Sequence, residues 1–154
     1  MLRSGRRSKY YFDKYLFETQ PSTLRRTGRA LARLVPPTTQ RLAAPELGAI
    51  LLGGVVSLEL DLPLVLVRKA AKQYGTARAL EGRLEAGEKV TVIEDVLTTG
   101  GAAIDAIGKV RDADADADVI CLLGVPDCEE GAREAIQALG VQFKPLFGKS
   151  DLAI

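Results

Sequence analysis

Residues 90–101 read VTVIEDVLTTGG, an apolar run of strand length that stops at two adjacent carboxylates, Glu94 and Asp95. A threonine pair and a glycine pair follow, and then Ala103, Ile104, Ile107 and Val110 recur at helical spacing. A strand feeding a helix through a short turn is half of a βαβ unit, and such units assemble into parallel sheets covered on both faces. Two like charges where a buried strand runs out need a reason, and the remainder of the chain supplies it.

The order strand–helix repeats downstream. A strand over 90–93, a helix over 102–111, a strand over 119–125, a helix over 129–139 stopped by Gly140 and a last strand near 141–147 are expected. The tract Asp112 to Asp118, DADADAD, reads as a solvated helix-to-strand turn. Upstream, Leu64-Val65-Leu66-Val67 is a compact buried strand, and residues 46–60 read as a buried helix entered from Arg41–Ala44 through Pro45. Pro21-Ser22-Thr23 opens a helix through Val35, with Leu24, Leu31, Leu34 and Val35 on one side and Pro36-Pro37 as its stop. Residues 9–17, KYYFDKYLF, are aromatic and partly alternating, as in a strand or extended segment. Residues 70–88 break the pattern: they are polar and carry Gly75, Gly82 and Gly87, so a loop of this length is either functional or disordered. The expected fold is α/β, one domain over residues 1–154 with a parallel sheet and helices on both faces.

Composition narrows the chemistry. The chain of 154 residues has no histidine, which excludes His-based triads, His-ligated zinc and an imidazole acid or base. Two cysteines, Cys121 and Cys128, cannot frame a disulfide scaffold, and a reducing cytoplasm is the expected setting. Net charge is +1, so bulk electrostatics recommend neither nucleic acid nor an anionic membrane as partner. Arg3, Arg6, Arg7, Lys9 and Lys14 crowd the N-terminus, but no long apolar run follows them, which removes a secretory leader. No apolar run reaches the roughly 20 residues of a membrane span. Gly148-Lys149-Ser150 fails as a phosphate-binding loop, because the required preceding glycine position holds Phe143.

In open α/β sheets ligands bind beyond the carboxyl ends of the strands, where Glu94 and Asp95 stand. Thr98, Thr99, Gly100 and Gly101 lead into a helix start, where hydroxyls, close backbone approach and free N–H groups suit a phosphate. Carboxylates are acceptors and suit vicinal sugar hydroxyls, with a magnesium ion nearby. A phosphate at one end and a diol at the other describe a ribose 5-phosphate. The alternative is that Glu94 and Asp95 only cap the turn that follows them.

VTVIEDVLTTGG resembles the phosphoribosyl pyrophosphate (PRPP) motif of type I phosphoribosyltransferases. Within that superfamily the chain is most similar to the orotate phosphoribosyltransferase family, through SGRRSKYYFDKYLF, APELGA, VRKAAKQYGT, EDVLTTGG, EEG and LFGKSDL. The resemblance implies a magnesium-dependent, cytoplasmic enzyme of pyrimidine synthesis that joins orotate to PRPP, giving orotidine 5′-monophosphate and pyrophosphate. It implies PRPP contacts from Arg3, Arg68, Lys69, Lys72, Glu94, Asp95, Val96, Leu97, Thr98, Thr99, Gly100, Gly101 and Ala102, with Lys72 and Asp95 catalytic. Orotate would meet Tyr11, Phe12 and Thr98 in a base-side hood over residues 1–20. Magnesium would arrive on PRPP without direct protein ligands. Residues 70–88 would be a mobile loop shared across a homodimer, a lid that excludes water.

Four departures bear on the transfer. The chain begins at its SGR segment, without the family's preceding helix, so a short hood is expected. Tyr74 stands where a loop histidine is usual, and Ala44 replaces a glycine of the pyrophosphate loop, where a Cβ would crowd the backbone's approach. Cys128 holds the place of an orotate-binding arginine, and nothing in the sequence places Arg133 as its substitute. Those departures keep two other readings open: a PRPP-binding regulator without turnover, and a transferase for another base.

Overall fold

The computed structural model describes residues 13–69, 79–113 and 116–152. After a single helical turn, α1 (Lys14–Glu18), come α2 (Pro21–Ala32), β1 (Arg41–Pro45), α3 (Glu46–Leu60), β2 (Leu64–Val67), β3 (Leu80–Glu81) and β4 (Lys89–Glu94). Then follow α4 (Gly101–Ala113), β5 (Asp118–Asp127), α5 (Ala132–Gln137), β6 (Gln142–Gly148) and a closing 3-10 turn, Lys149–Leu152. The sheet has six strands in the order β3-β2-β1-β4-β5-β6. All neighbours pair in parallel except β3, which lies antiparallel against β2 through Leu66–Glu81 and Val67–Leu80.

Two apolar layers cover the sheet. On one face α4 and α5 bring Ala103, Ala106, Ile107, Val110, Ala132 and Ile136 onto Val65, Val90, Val92 and Phe143. On the other, Leu31 of α2 and Leu52 and Val56 of α3 meet Leu42, Ile93, Cys121 and Leu123. Opposite the Val90–Thr91 step the register passes from Val119 to Cys121, and this bulge at Ile120 re-aims β5 toward α2 and α3. Strands buried on both faces explain why β5 reads as a continuous apolar run.

Several elements differ from the sequence expectation. Residues 14–18 are helical, closed by Thr19 N donating to Tyr15 O at 3.1 Å, so the aromatic alternation there does not mark a strand. Tyr15 and Leu16 point to solvent while Glu18 is fully buried, the reverse of what composition suggests. α2 ends at Ala32; Leu34 and Val35 bond back three residues, the tightened turn expected before a proline pair. α5 starts at Ala132, after Gly131 at φ 104° as its cap, and Glu129 at φ 58° keeps the preceding residues out of the helix. The polar stretch after β2 contains β3, so part of it is sheet, and residues 70–78 lie outside the described set.

Candidate functional site

Chain connections run outward in both directions from the centre of the sheet. β1 passes through α3 to β2, and β4 passes through α4 to β5 on the opposite side. The reversal lies between β1 and β4, and the crevice beyond their carboxyl ends is where open α/β sheets bind ligands. It receives the end of β1 with the start of α3, the end of β4 with the start of α4, and α1 from above. A cleft of about 610 Å³ opens there, lined by Lys14, Glu46, Arg68, Lys69, Asp95 and Thr98 among others. A larger cleft of about 770 Å³ lies beside β3, between Arg83 and Asp112, away from the carboxylate pair.

The loop after β4 is tied to β5. Asp95 O accepts from Val125 N at 3.2 Å, Leu97 N donates to Pro126 O at 3.0 Å, and Leu97 O accepts from Cys128 N at 2.7 Å. Leu97 is buried over Gly124, where an added Cβ would overlap the leucine side chain. Gly100, at φ 85°, then turns the chain into α4, and its carbonyl accepts from Ile104 N at 2.8 Å. Thr98, Thr99, Gly101 and Ala102 stand exposed at this helix start, whose first N–H groups have no partner within the helix.

Glu94 and Asp95 are buried at the rim. Each spends one oxygen locally: Glu94 Oε1 accepts from Asp95 N at 3.1 Å, and Asp95 Oδ1 from Val96 N at 2.6 Å. Turn capping uses only Oδ1, and Asp95 Oδ2 is directed to the cleft, where it pairs with Lys14 Nζ. Burial and then the Asp95 charge push the Glu94 carboxyl well above the ordinary carboxylate range. Burial pulls the Lys14 ammonium down, but its hydrogen bond and charge pairing with Asp95 prevail and leave it above the usual lysine value.

Beside this pair sit two residues that sequence reading missed. Glu18 is fully buried, and among the described residues neither of its oxygens has a hydrogen-bond partner. Its carboxyl is pushed up to about 7, by burial first and by the Asp95 charge second, with Lys14 opposing. Gly48, in the first turn of α3, makes the room: an added Cβ would overlap Asp95 Oδ2 and come within 2.5 Å of Glu18 Oε2. The available signal was the Lys14–Glu18 spacing of one helical turn, hidden by an aromatic run that reads as extended.

The β1–α3 junction carries strain. Glu46 has φ 54°, a left-handed conformation that costs a non-glycine residue about 1–2 kcal/mol. The Ala44 methyl is directed at α3, into the space that Gly53 leaves, where an added Cβ would be 2.9 Å away. The crowding expected of that alanine thus falls on the helix. At the end of β2, Arg68 Nη1 lies 3.2 Å from Glu81 Oε1. The Arg68 and Lys69 carbonyls both accept from Lys109 Nζ, at 2.9 and 2.8 Å, which fixes these two cations to α4. Arg133, unplaced by sequence, has Nη2 3.9 Å from Asp127 Oδ2 and its guanidinium 4.8 Å from the Phe143 ring centre. Burial, with Glu130 and Asp127 adding charge, pushes the Cys128 thiol up, so it is no activated nucleophile. Arg3, Tyr11, Phe12, Lys72 and Tyr74 lie outside the described residues.

No protein-family model matches the chain. An orotate phosphoribosyltransferase of Methanocella arvoryzae is 45% identical over 152 residues, covering 98% of this chain and 85% of the relative. The chain belongs to the orotate phosphoribosyltransferase family. Among solved structures, the orotate phosphoribosyltransferase of Aeropyrum pernix superposes with TM-score 0.86 at 27% identity, over 98% of this chain and 85% of that one. That of Mycobacterium tuberculosis in complex with PRPP superposes with TM-score 0.80 at 28% identity, over 99% and 88%. Membership of this family fits the switch-point crevice, the acidic pair and the open helix start that the fold assembles.

Proposed function

We propose that the chain transfers the phosphoribosyl group of PRPP to orotate, yielding orotidine 5′-monophosphate and pyrophosphate. The observation that carries this reading is Asp95 Oδ2 facing a cleft whose other end is the helix start with exposed Thr98, Thr99 and Gly101. In this reading the amides and hydroxyls of Thr98 to Ala102 hold the 5-phosphate, while Glu94 and Asp95 accept from the ribose hydroxyls. Arg68 and Lys69, with Lys72 and Arg3, face the diphosphate. The ring nitrogen attacks the anomeric carbon as the diphosphate leaves, and the Asp95 carboxylate steadies the positive charge that develops on the ribose. Tyr11, Phe12 and Thr98 contact the pyrimidine.

A magnesium ion fits a site with cations at its diphosphate end and carboxylates at Glu46, Glu94, Asp95 and Asp105 along the cleft, provided that substrate oxygens carry the ion. Bound in that way, it would neutralise diphosphate charge as the bond to carbon breaks. A homodimer is the expected assembly, with residues 70–88 serving the neighbouring site. Leu47, Leu51 and Leu58 form an exposed apolar stripe on α3, suited to such a partner. One unit over residues 1–154, with a base-side hood over 1–20, completes the reading. Cytoplasmic residence agrees with the absence, among the described residues, of a helix long and apolar enough to cross a membrane.

The test is an absorbance assay of the purified protein with PRPP, magnesium and orotate, beside uracil and hypoxanthine controls. Turnover with orotate alone is expected. A second reading, a PRPP-binding regulator, draws on Cys128 at the family's arginine position; it would show PRPP binding and no product with any base.

A further inference from the structure

Glu18 has no part in the chemistry described above, yet it is the most unusual ionisable group among the described residues. A fully buried carboxyl without a hydrogen-bond donor is costly when charged, and native proteins ordinarily pair such groups. Here both oxygens are unpartnered. Lys14 and Glu18 are one turn apart on α1, so one face of that helix presents an ammonium and a carboxyl together. Both meet Asp95: Lys14 through its ion pair with Oδ2, Glu18 through the gap at Gly48 that the two acid side chains share.

We propose that Glu18 is a positioning acid for the ribose-binding carboxylate, and that it takes up a proton when the anionic sugar donor binds. This rests on the reading of Asp95 as the ribose-diol acceptor. While the cleft holds no ligand, Lys14 offsets the charge of Asp95, and Glu18 is left about half ionised near neutral pH. A donor carrying a phosphate and a diphosphate brings several negative charges next to this acid and draws the diol hydroxyls onto Asp95. A charged Glu18 in the same pocket then opposes binding, and a proton from solvent removes the opposition.

The charged groups around Glu18 are few among the described residues. α1 contributes Lys14, β4 contributes Asp95 with Glu94 behind it, and α3 contributes Glu46 at the cleft wall. α2 adds only the exposed arginines Arg25, Arg26 and Arg29, and Arg29 is engaged with Glu59 at 3.4 Å. Glu94 and the donor's own phosphates also titrate, but they are common to the parent protein and a Glu18 variant, so a difference between the two isolates Glu18.

The experiment is calorimetric titration with PRPP and magnesium at pH 6 to 8, in two buffers of different ionisation enthalpy, on the parent, Glu18→Gln and Glu18→Asp. The parent is expected to take up more protons than Glu18→Gln near pH 7. Its affinity should fall about fivefold more across the range, part of the roughly tenfold limit that a one-unit change in the acid's pKa sets on binding. Glu18→Asp, which keeps an acid, should restore the uptake. Should Glu18→Gln fail to fold, Glu18→Ala takes its place, and absence of proton uptake by the parent is itself decisive against the inference. Equal proton counts and equal pH slopes in parent and variant overturn it even if orotate is turned over. Failure of PRPP to bind the parent at all overturns the reading of the site, and the inference with it.

Discussion

Asp95 divides its two oxygens between the protein and the cleft, and that division makes it the most informative single position. Oδ1 holds the turn through Val96 N, and Oδ2 pairs with Lys14 Nζ at the cleft. Asp95→Asn keeps the acceptor for the turn and removes the charge. Turnover should fall below detection while the circular dichroism spectrum is retained, and a fully active variant would remove Asp95 from the mechanism. Cys128 is the opposite case, a residue whose interest lies in what it lacks. Losing a guanidinium opposite a desolvated carboxylate costs about 2–5 kcal/mol. Cys128→Arg should therefore lower the Michaelis constant for orotate at least tenfold with the PRPP constant unchanged. Equal orotate constants would point to another cation, of which Arg133, paired with Asp127, and Lys149, whose charge acts on Cys128, are candidates.

At the scale of elements, the β4–α4 connection is positioned by β5 as much as by its own sequence. Three backbone bonds and the seat of Leu97 over Gly124 hold the loop. Gly124→Ala would drive a methyl into Leu97, an overpacking that costs about 1–3 kcal/mol. Because the strain falls on the loop, the PRPP constant should rise several-fold while the orotate constant moves little; kinetics at saturating cosubstrate separate the two. A variant with a lower melting temperature and unchanged constants would show that the loop is held elsewhere.

Across the whole molecule, stability carries two opposed carboxylate effects. At the amino end of the sheet, Arg41 Nε and Nη2 donate to Glu88 at 2.8 and 2.7 Å and hold that carboxyl below its ordinary 4.5. A depressed acid contributes stability above its unfolded value, and the contribution is lost as pH falls through the folded value. Glu18 is raised from 4.5 to about 7, so between those values the folded state binds more protons than the unfolded and stability falls as pH rises. The melting temperature should therefore peak on the mildly acidic side. It should drop between pH 6 and 8 in the parent and drop less in Glu18→Gln, and equal slopes would clear Glu18 of this role. If the lid over 70–88 serves a partner's site, mixed dimers of Lys72→Ala with Asp95→Asn subunits should regain about a quarter of parental activity, since random pairing leaves one intact site in half the dimers. No recovery in proven mixed dimers would place each site within one chain.

Much of this was legible in the order of residues. Local patterns set β2, α3 and the β4–turn–α4 unit, because each is written in a contiguous stretch: an apolar run, a helical period, a glycine pair at a turn. The acidic pair and the threonine–glycine turn were legible as a strand end and a helix start for the same reason. α1 was misread because one turn of helix leaves too short a period to distinguish from aromatic alternation. β3 was missed because two residues on a sheet edge leave almost no pattern. The sequence by itself determined the α/β class and that the acidic pair and the glycine turn stand where β4 runs into α4. Only the tertiary structure decided that Lys14, Glu18, Gly48 and Asp95 share one pocket: they come from α1, α3 and the end of β4, and what unites them is the sheet's reversal between β1 and β4. Contacts between distant segments are set by packing and burial, and no spacing along the chain encodes them.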